Sequence, residues 1–250
     1  MTRFSVNLNK FALIRNARGA NKPDLLEIAR RCIAAGVHGI TVHPRTDQRH
    51  VKYADVPDLD RLVRRYPGVE LNVECVIDEA LIGLAEKVRP TQCTLVPDGP
   101  DQLTSDHGWQ VDEHEEALRM AIERLHRKGI RVSLFVDPEP RHAAAARAVG
   151  ADRVELYTQS YAAAYGSAGQ AGVTAAFRDS ALSAQRAGLG VNAGHDLSLQ
   201  NLETLLREVP DVLEVSIGHA FICECFDFGI ENAISRYLRV IERCAGADQG

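Results

Sequence analysis

The chain has 250 residues, with 45% hydrophobic residues, 25% charged residues and a formal net charge of −5. These proportions are typical of a globular protein and argue against a disordered or low-complexity chain. The sequence has no apolar run near the ~20 residues that cross a bilayer, no signal peptide and no basic stripe for nucleic acid. We therefore expect a cytoplasmic protein with no membrane or nucleic-acid partner.

Predicted strands and helices alternate along the whole chain. Short apolar, β-branched runs predict strands at Phe4–Leu8, Gly39–His43, Val69–Glu74, Gln92–Val96, Arg131–Val136, Arg153–Tyr157, Gly190–Ala193 and Leu213–Ile217. Between the strands lie segments with helical spacing, for example Asp24–Ala35, Asp78–Val88, Asp112–Lys128, Glu139–Val149, Gly172–Ala187, Ser198–Val209 and Ala220–Cys244. Irregular stretches are expected at 44–54, 97–111 and 159–171, each after a strand.

Eight strand–helix units of about 31 residues each predict a single (β/α)8 TIM barrel spanning residues 1–250. A doubly wound open sheet is the alternative, but the first strand is not followed by a G-x-G-x-x-G turn. Apart from Glu155, we expect the interiors of the strands to be mostly apolar or small.

Cysteine usage gives little sign of a metal site. None of the six cysteines forms a C-x-x-C pair. Cys223-Glu-Cys225 has no accompanying His or Cys set with zinc spacing. We therefore expect reduced thiols and no metal ligands.

In a barrel the residues that end the strands face the active site. His43, Glu74, His195 and His219 fall at such positions. Imidazoles and a partly desolvated carboxylate are the groups that proton transfer near pH 7 requires. Their convergence on one face predicts acid–base catalysis.

A second pattern predicts phosphate binding at the same face. Gly194-His195-Asp196 and Gly218-His219 follow strands seven and eight, where barrel enzymes often hold phosphate on backbone N–H groups. Arg18, Arg45 and His50 add cationic or hydrogen-bonding donors. We expect small phosphorylated substrates.

Several ordered motifs resemble the pyridoxine 5′-phosphate synthase family of vitamin B6 biosynthesis. They include V-N-x-N-K-x-A-x-x-R-N-A-R-G at 6–19, G-I-T-V-H-P-R-x-D-x-R-H at 39–50, L-N-V-E at 71–74, Q-L-T-S-D-H-G at 102–108, V-N-A-G-H at 191–195 and I-G-H-A at 217–220. The resemblance covers almost the whole chain.

The resemblance implies a TIM barrel that assembles as a homo-octamer and needs no metal or organic cofactor. It implies condensation of 1-deoxy-D-xylulose 5-phosphate with 3-amino-2-oxopropyl phosphate, giving pyridoxine 5′-phosphate, phosphate and water. By motif, His43 and Glu74 match proton acceptors, His195 a proton donor and Glu155 a carboxylate that supports charged intermediates.

The resemblance also implies substrate contacts. Asn7 and Arg18 fall where the aminooxopropyl phosphate binds, and Arg45, His50 and Thr104 match contacts to the deoxyxylulose phosphate. Asp196, Gly218 and His219 lie where the aminooxopropyl phosphate, and later the product phosphate, is held. The segment around Thr104 resembles a loop that closes on substrate.

The chain departs from the family pattern in two motifs. The best-known form reads Asn-Ile-Asp-His where this chain has Asn7-Leu8-Asn9-Lys10, and Gly-His-Gly where it has Gly194-His195-Asp196. Two alternatives stay open: a Schiff-base aldolase that uses Lys10, and a non-catalytic sugar-phosphate-binding barrel.

Overall fold

The computed structural model describes residues 1–99, 102 and 104–246. Eight parallel strands form a closed barrel in sequence order. They are β1 (Arg3–Asn7), β2 (Gly39–Val42), β3 (Glu70–Cys75), β4 (Gln92–Leu95), β5 (Arg131–Val136), β6 (Arg153–Tyr157), β7 (Gly190–Gly194) and β8 (Val212–Ile217). The (β/α)8 TIM barrel expected from the sequence is therefore confirmed, and each strand lies close to its predicted bounds.

Helices surround the barrel. They are α1 (Asn9–Asn16), α2 (Leu25–Ala34), α3 (Asp55–Val63), α4 (Glu79–Val88), α5 (Glu115–His126), α6 (Arg141–Ala148), α7 (Gln159–Ala164), α8 (Gln170–Arg186), α9 (Leu202–Glu208), α10 (His219–Phe228) and α11 (Ile230–Gly246). A 3-10 turn at Val111–Glu113 precedes α5.

Two predictions about the helices were wrong. The stretch 159–171 is not wholly irregular, because it contains α7. The single helix predicted over Ala220–Cys244 is two helices, α10 and α11. Gly229 separates them at φ +76°, a backbone conformation that side chains rarely adopt.

Side chains of the strands divide between two faces of the barrel wall. Apolar residues such as Val6, Ile40 and Leu134 are fully buried in one continuous core. Inside the barrel, polar side chains bond between strands that are not neighbours. Gln92 on β4 donates to Glu214 on β8 at 3.3 Å, and this bond crosses the interior.

The strands are mostly apolar or small, as expected, but Glu155 is not the single large polar side chain within them, because Asn72, Asn192 and Glu214 are also buried there. Strand residues alternate between the two faces, and polar residues such as Thr41, Asn72, Thr94 and Asn192 are buried alongside Glu155. Buried polar groups of this kind are stable when they hydrogen-bond to one another. Thr94 Oγ1 lies 3.1 Å from Asn72 Oδ1, for example.

Within the described ranges, no helix combines the length and the apolar character needed to cross a membrane.

Candidate active site

The carboxyl ends of the strands surround a cavity of about 310 Å³. Its lining includes the predicted catalytic residues His43, Glu74, Glu155 and His195. It also includes the predicted substrate-binding residues Asn7, Arg45, His50, Thr104, Asp196, Gly218 and His219. Residues that are far apart in the sequence thus meet around one space, as the barrel prediction requires.

Arg18 is the one predicted site residue that does not line this cavity. It lies in an exposed turn beyond the end of α1. Its contact with a substrate phosphate therefore stays a prediction.

Glu74 and His43 form a close acid–base pair because β2 and β3 are adjacent parallel strands. His43 Nδ1 lies 3.6 Å from Glu74 Oε2. Burial and the charge of Asp98 raise the pKa of Glu74 to about 7, against a smaller lowering by His195 and by the hydrogen bond that Asn7 donates. A carboxyl group with this pKa can accept and return a proton at neutral pH.

The His43 imidazole is held neutral by its surroundings. Burial, followed by the positive charges of its neighbours, lowers its pKa well below the ordinary value. Its backbone N–H donates to Asn9 Oδ1 at 2.8 Å, which fixes the start of the loop after β2. The ring is therefore in its unprotonated form, which is the form that can accept a proton.

Glu155 lies deeper in the barrel, on β6, and is only 3% exposed. Burial and the neighbouring Glu74 raise its pKa well above the ordinary value. A Cβ atom at Gly194 would lie 2.2 Å from Glu155 Oε1. Only glycine therefore leaves room for this carboxyl group beside His195.

Both ring nitrogens of His195 have a partner. Nε2 lies 3.0 Å from Thr104 Oγ1, and Nδ1 lies 3.0 Å from Asp196 Oδ2. The ring packs edge-on against Tyr157, with centroids 5.1 Å apart. His195 is thereby oriented between the wall of the barrel and the loop that carries Thr104.

Arg45 connects the cavity to the loop after β4. Its guanidinium pairs with Asp98 Oδ2 at 2.6 Å and donates to the carbonyl oxygens of Gly99 and Gln102 at 3.0 and 2.9 Å. Ser105 Oγ also donates to Asp98 Oδ2, at 3.0 Å. Arg45 therefore holds this loop in addition to lining the cavity.

His43 and Arg45 also line a neighbouring cavity of about 370 Å³. Trp109, Val76 and Pro97 contribute apolar walls to it. His50 lies on the other side of His43, with ring centroids 5.9 Å apart. Burial, followed by the charge of Arg45, lowers the pKa of His50 to about 4, so its imidazole is neutral near pH 7.

Gly218 and His219 begin α10, directly after β8, and both line the cavity. Backbone N–H groups at a helix start favour an anion. A Cβ atom at Gly218 would lie 3.1 Å from the Asn7 Cβ atom, so glycine brings the start of α10 close to β1. This side of the cavity suits a phosphate group.

Sequence reasoning left out several residues that line the cavity, including Asn9, Lys10, Ser105 and Ser216. Asn9 and Lys10 follow β1 directly, and their place at a strand end could have identified them. Because both differ from the best-known family form, the motif match gives them no role in the synthase reaction. Ser216 lies within β8, where an inward orientation depends on strand register.

Among the described residues, no three His, Cys, Asp or Glu side chains form a group that could hold a metal ion.

Comparison with known proteins agrees with the geometry. The family described as pyridoxal phosphate biosynthesis protein PdxJ matches residues 4–243. The chain belongs to this family. The resemblance inferred from the motifs is thus confirmed, and the PdxJ match spans all eight strands.

Relatives of this PdxJ-family chain carry the name pyridoxine 5′-phosphate synthase. The protein of Xanthomonas campestris pv. campestris is 50% identical over 249 residues, which is 96% of each chain. A Chelativorans protein is 47% identical over 244 residues, covering 96% of this chain and 98% of the relative.

A solved structure of phosphoribosyl anthranilate isomerase also matches, with a TM-score of 0.58 and 15% identity over 97% of this chain and 99% of the other. At that identity the likeness concerns the fold alone.

Proposed function

We propose that this protein is a pyridoxine 5′-phosphate synthase. It condenses 1-deoxy-D-xylulose 5-phosphate with 3-amino-2-oxopropyl phosphate and releases pyridoxine 5′-phosphate, phosphate and water. The observation that carries the proposal is the meeting of His43, Glu74 and His195 around one cavity in a chain of the PdxJ family.

Proton transfers dominate this reaction. An amine attacks a ketone, phosphate and water leave, and a ring closes, and each step moves protons on or off carbon, nitrogen or oxygen. Glu74 and neutral His43 accept protons, and His195 delivers them. Burial holds His43 neutral and raises the pKa of Glu74 to about 7, which supports proton acceptance by these two groups.

Glu155 acts next to charged intermediates in this scheme. Burial and the neighbouring Glu74 raise its pKa and so favour the protonated carboxyl group in the free protein. A cationic imine beside it would favour the carboxylate, because an opposite charge nearby stabilises the ionised form. Glu155 therefore stabilises positive charge when that charge develops.

Two phosphate groups orient the substrates. Arg45, with neutral His50 and Thr104, binds the phosphate of the deoxyxylulose substrate after the guanidinium exchanges its bonds to the carbonyl groups of Gly99 and Gln102. The backbone of Asp196, with Gly218 and His219, binds the phosphate that the product retains. Well-oriented reactants lower a barrier by up to ~7–11 kcal/mol.

The test is to mix the purified protein with both phosphorylated precursors and to measure pyridoxine 5′-phosphate and inorganic phosphate. We expect both products to form in equal amounts without an added metal or organic cofactor. Binding of both precursors without turnover would instead support a non-catalytic sugar-phosphate-binding barrel.

A Schiff-base aldolase is the second candidate, because the amine-bearing side chain of Lys10 lines the cavity. A lysine at this place could form an imine with a keto-phosphate. Borohydride in the presence of deoxyxylulose phosphate would then leave a stable adduct on Lys10. We expect no adduct at this residue, with Lys10→Met as the control.

We further propose that the protein is a cytoplasmic homo-oligomer, an octamer by family resemblance. Support comes from apolar side chains at the surface: Leu13 and Ile14 on α1 are 44% and 43% exposed, and Phe226 on α10 is 77% exposed. Light scattering after size-exclusion chromatography tests this, and a monomer at micromolar concentration would refute it. Cell fractionation tests the location.

A further inference from the structure

The backbone beside the cavity is unusual at His195 and Asp196. Both residues have positive φ angles, +84° and +56°, although neither is glycine. Such conformations persist only when the surrounding structure holds them in place. Thr158 does so on one side, because its hydroxyl group donates to the carbonyl oxygens of Gly194, at 2.8 Å, and His195.

Asn201 holds the next peptide. Its side-chain amide donates to the Asp196 carbonyl oxygen at 3.2 Å. Asn201 is itself buried and precedes α9, so the support comes from a well-packed part of the molecule. His195 and Asp196 are therefore held by Thr158, which follows β6, and by Asn201, which precedes α9.

This backbone brings the Asp196 carboxylate onto the neighbouring imidazole. Asp196 Oδ2 lies 3.0 Å from His195 Nδ1, while the opposite nitrogen, Nε2, lies beside Thr104 in the cavity. The carboxylate accepts a hydrogen bond from Nδ1–H in this arrangement. The other nitrogen is then presented to a substrate.

We propose that Asp196 is a positioning residue for His195: its carboxylate holds the proton at Nδ1, aims Nε2 into the cavity and stabilises the protonated imidazole. The proposal deepens the proposed function, in which His195 delivers protons, and rests on it. A carboxylate that accepts an imidazole N–H selects the tautomer and orientation of a catalytic histidine in this way.

The electrostatics of the side chain agree with this role. The hydrogen bond with His195 lowers the pKa of Asp196, so the carboxyl group is ionised near pH 7. A carboxylate repels a phosphate group, so the backbone N–H of Asp196, and not its side chain, suits the predicted phosphate contact. In this arrangement the Asp196 carboxylate bonds to His195, and its backbone N–H is left for the phosphate.

Four other side chains lie close to His195 or Asp196. Glu74 faces His195 from β3, and Lys10 and His219 face Asp196 from α1 and α10. Tyr157 packs against the imidazole from β6. The comparison of variants below leaves all four in place and changes only the carboxylate.

The test combines kinetics with NMR of protein labelled with ¹⁵N in histidine, using His195→Asn to assign the resonances. Asp196→Asn keeps the size of the side chain and removes the charge. We expect kcat to fall about 10- to 100-fold while KM for both substrates changes less than twofold. We also expect the His195 ring to lose its preference for the Nδ1–H tautomer.

Asp196→Gly is the second variant, because glycine accepts a positive φ without strain. If the carboxylate matters only for local structure, this variant keeps the wild-type kcat, and the proposal is wrong. We expect the same loss of kcat as in Asp196→Asn, without a lower melting temperature.

Two further results would overturn the proposal. One is an unchanged tautomer of His195 in both variants. The other is a tenfold rise in KM at constant kcat, which would make the side chain a substrate ligand. The NMR result needs no turnover, so it separates failure of this proposal from failure of the proposed function.

Discussion

At the scale of single residues, environment separates groups that are chemically alike. Glu74 and Glu155 are both glutamates at the same barrel mouth, yet Glu74 has a pKa of about 7 and the more deeply buried Glu155 is raised well above its ordinary value. His43 is driven in the opposite direction, towards the neutral form. Burial disfavours charge of either sign, which explains all three.

Glu74→Gln tests the effect of burial on the Glu74 carboxyl group. Burial favours the protonated carboxyl group, so its contribution to stability is present below the ordinary pKa of 4.5 and is lost as pH rises through about 7. The glutamine variant has no such loss. Its melting temperature relative to wild type should therefore rise by about 5 °C or more between pH 5 and pH 8, while turnover falls about 10²- to 10⁴-fold.

Glu79→Gln is the matched control for that experiment. Glu79 is exposed, and its hydrogen bond with Arg124 lowers its pKa. Its replacement should leave turnover unchanged and should not raise the relative melting temperature with pH. An equal trend in both variants would contradict the role given to burial of Glu74.

Gly194→Ala probes the close packing behind His195. The new methyl group would meet Glu155 Oε1 at 2.2 Å, so the carboxyl group or the strand must move. We expect the melting temperature to fall by about 3–10 °C, because overpacking costs ~1–3 kcal/mol. Turnover should fall as well.

Gly83→Ala is the control substitution, because Gly83 lies within α4 and a Cβ atom there meets nothing within 4 Å. Alanine is the better helix former by ~1 kcal/mol, so this variant should be more stable than wild type. If both alanine variants behaved alike, the packing argument at Gly194 would be wrong.

At the scale of elements, α1 organises the loop after β2. Arg15 on α1 makes two hydrogen bonds to Asp55 on α3, at 2.8 and 2.9 Å, and donates to the His50 carbonyl oxygen at 3.2 Å. Asn16 donates to the same carbonyl oxygen at 2.7 Å. The loop that carries Arg45 and His50 is thereby fixed from outside the cavity.

Arg15→Met should loosen that loop. Arg15 is buried but Asp55 is only half-buried, so the loss of this pair costs less than the ~3–5 kcal/mol of a fully buried one, and we expect a melting temperature lower by about 2–10 °C. KM for deoxyxylulose phosphate should rise more than KM for the amino substrate, because Arg45 and His50 are predicted to bind the former.

Arg30→Met is the control for Arg15→Met. Arg30 pairs with Glu27 on the exposed side of α2, and exposed pairs contribute ~0–1 kcal/mol. We expect little change in stability or in either KM. Equal effects of the two substitutions would contradict the organising role of α1.

The strands could be predicted from the sequence because each is a short apolar run with flanking turn residues. Helix starts such as Asp24 were also predictable, since its side chain accepts from the Leu26 N–H at 2.8 Å. The break at Gly229 was not, because the apolar pattern continues through α10 and α11. A glycine inside a helical pattern signals a break only when its φ is known.

At the scale of the whole molecule, barrel closure made most of the site predictable. Once eight strands are placed in order, their carboxyl ends must meet, so His43, Glu74 and His195 could be assigned to one cavity. The position of Arg18 and the bonds that occupy Arg45 depend on connecting segments. Such segments carry no periodic pattern, and sequence alone did not place them.

In the proposed function, one cavity binds two phosphorylated substrates, and its side chains move protons while a bond forms between them. The most direct measurement uses 3-amino-2-oxopropyl phosphate labelled with ¹⁵N and deoxyxylulose phosphate labelled with ¹³C at its ketone carbon. We expect wild-type protein to give a ring product with a one-bond ¹⁵N–¹³C coupling, and Glu74→Gln to give almost none. Consumption of both substrates without that bond, or equal coupling from both proteins, would contradict the account.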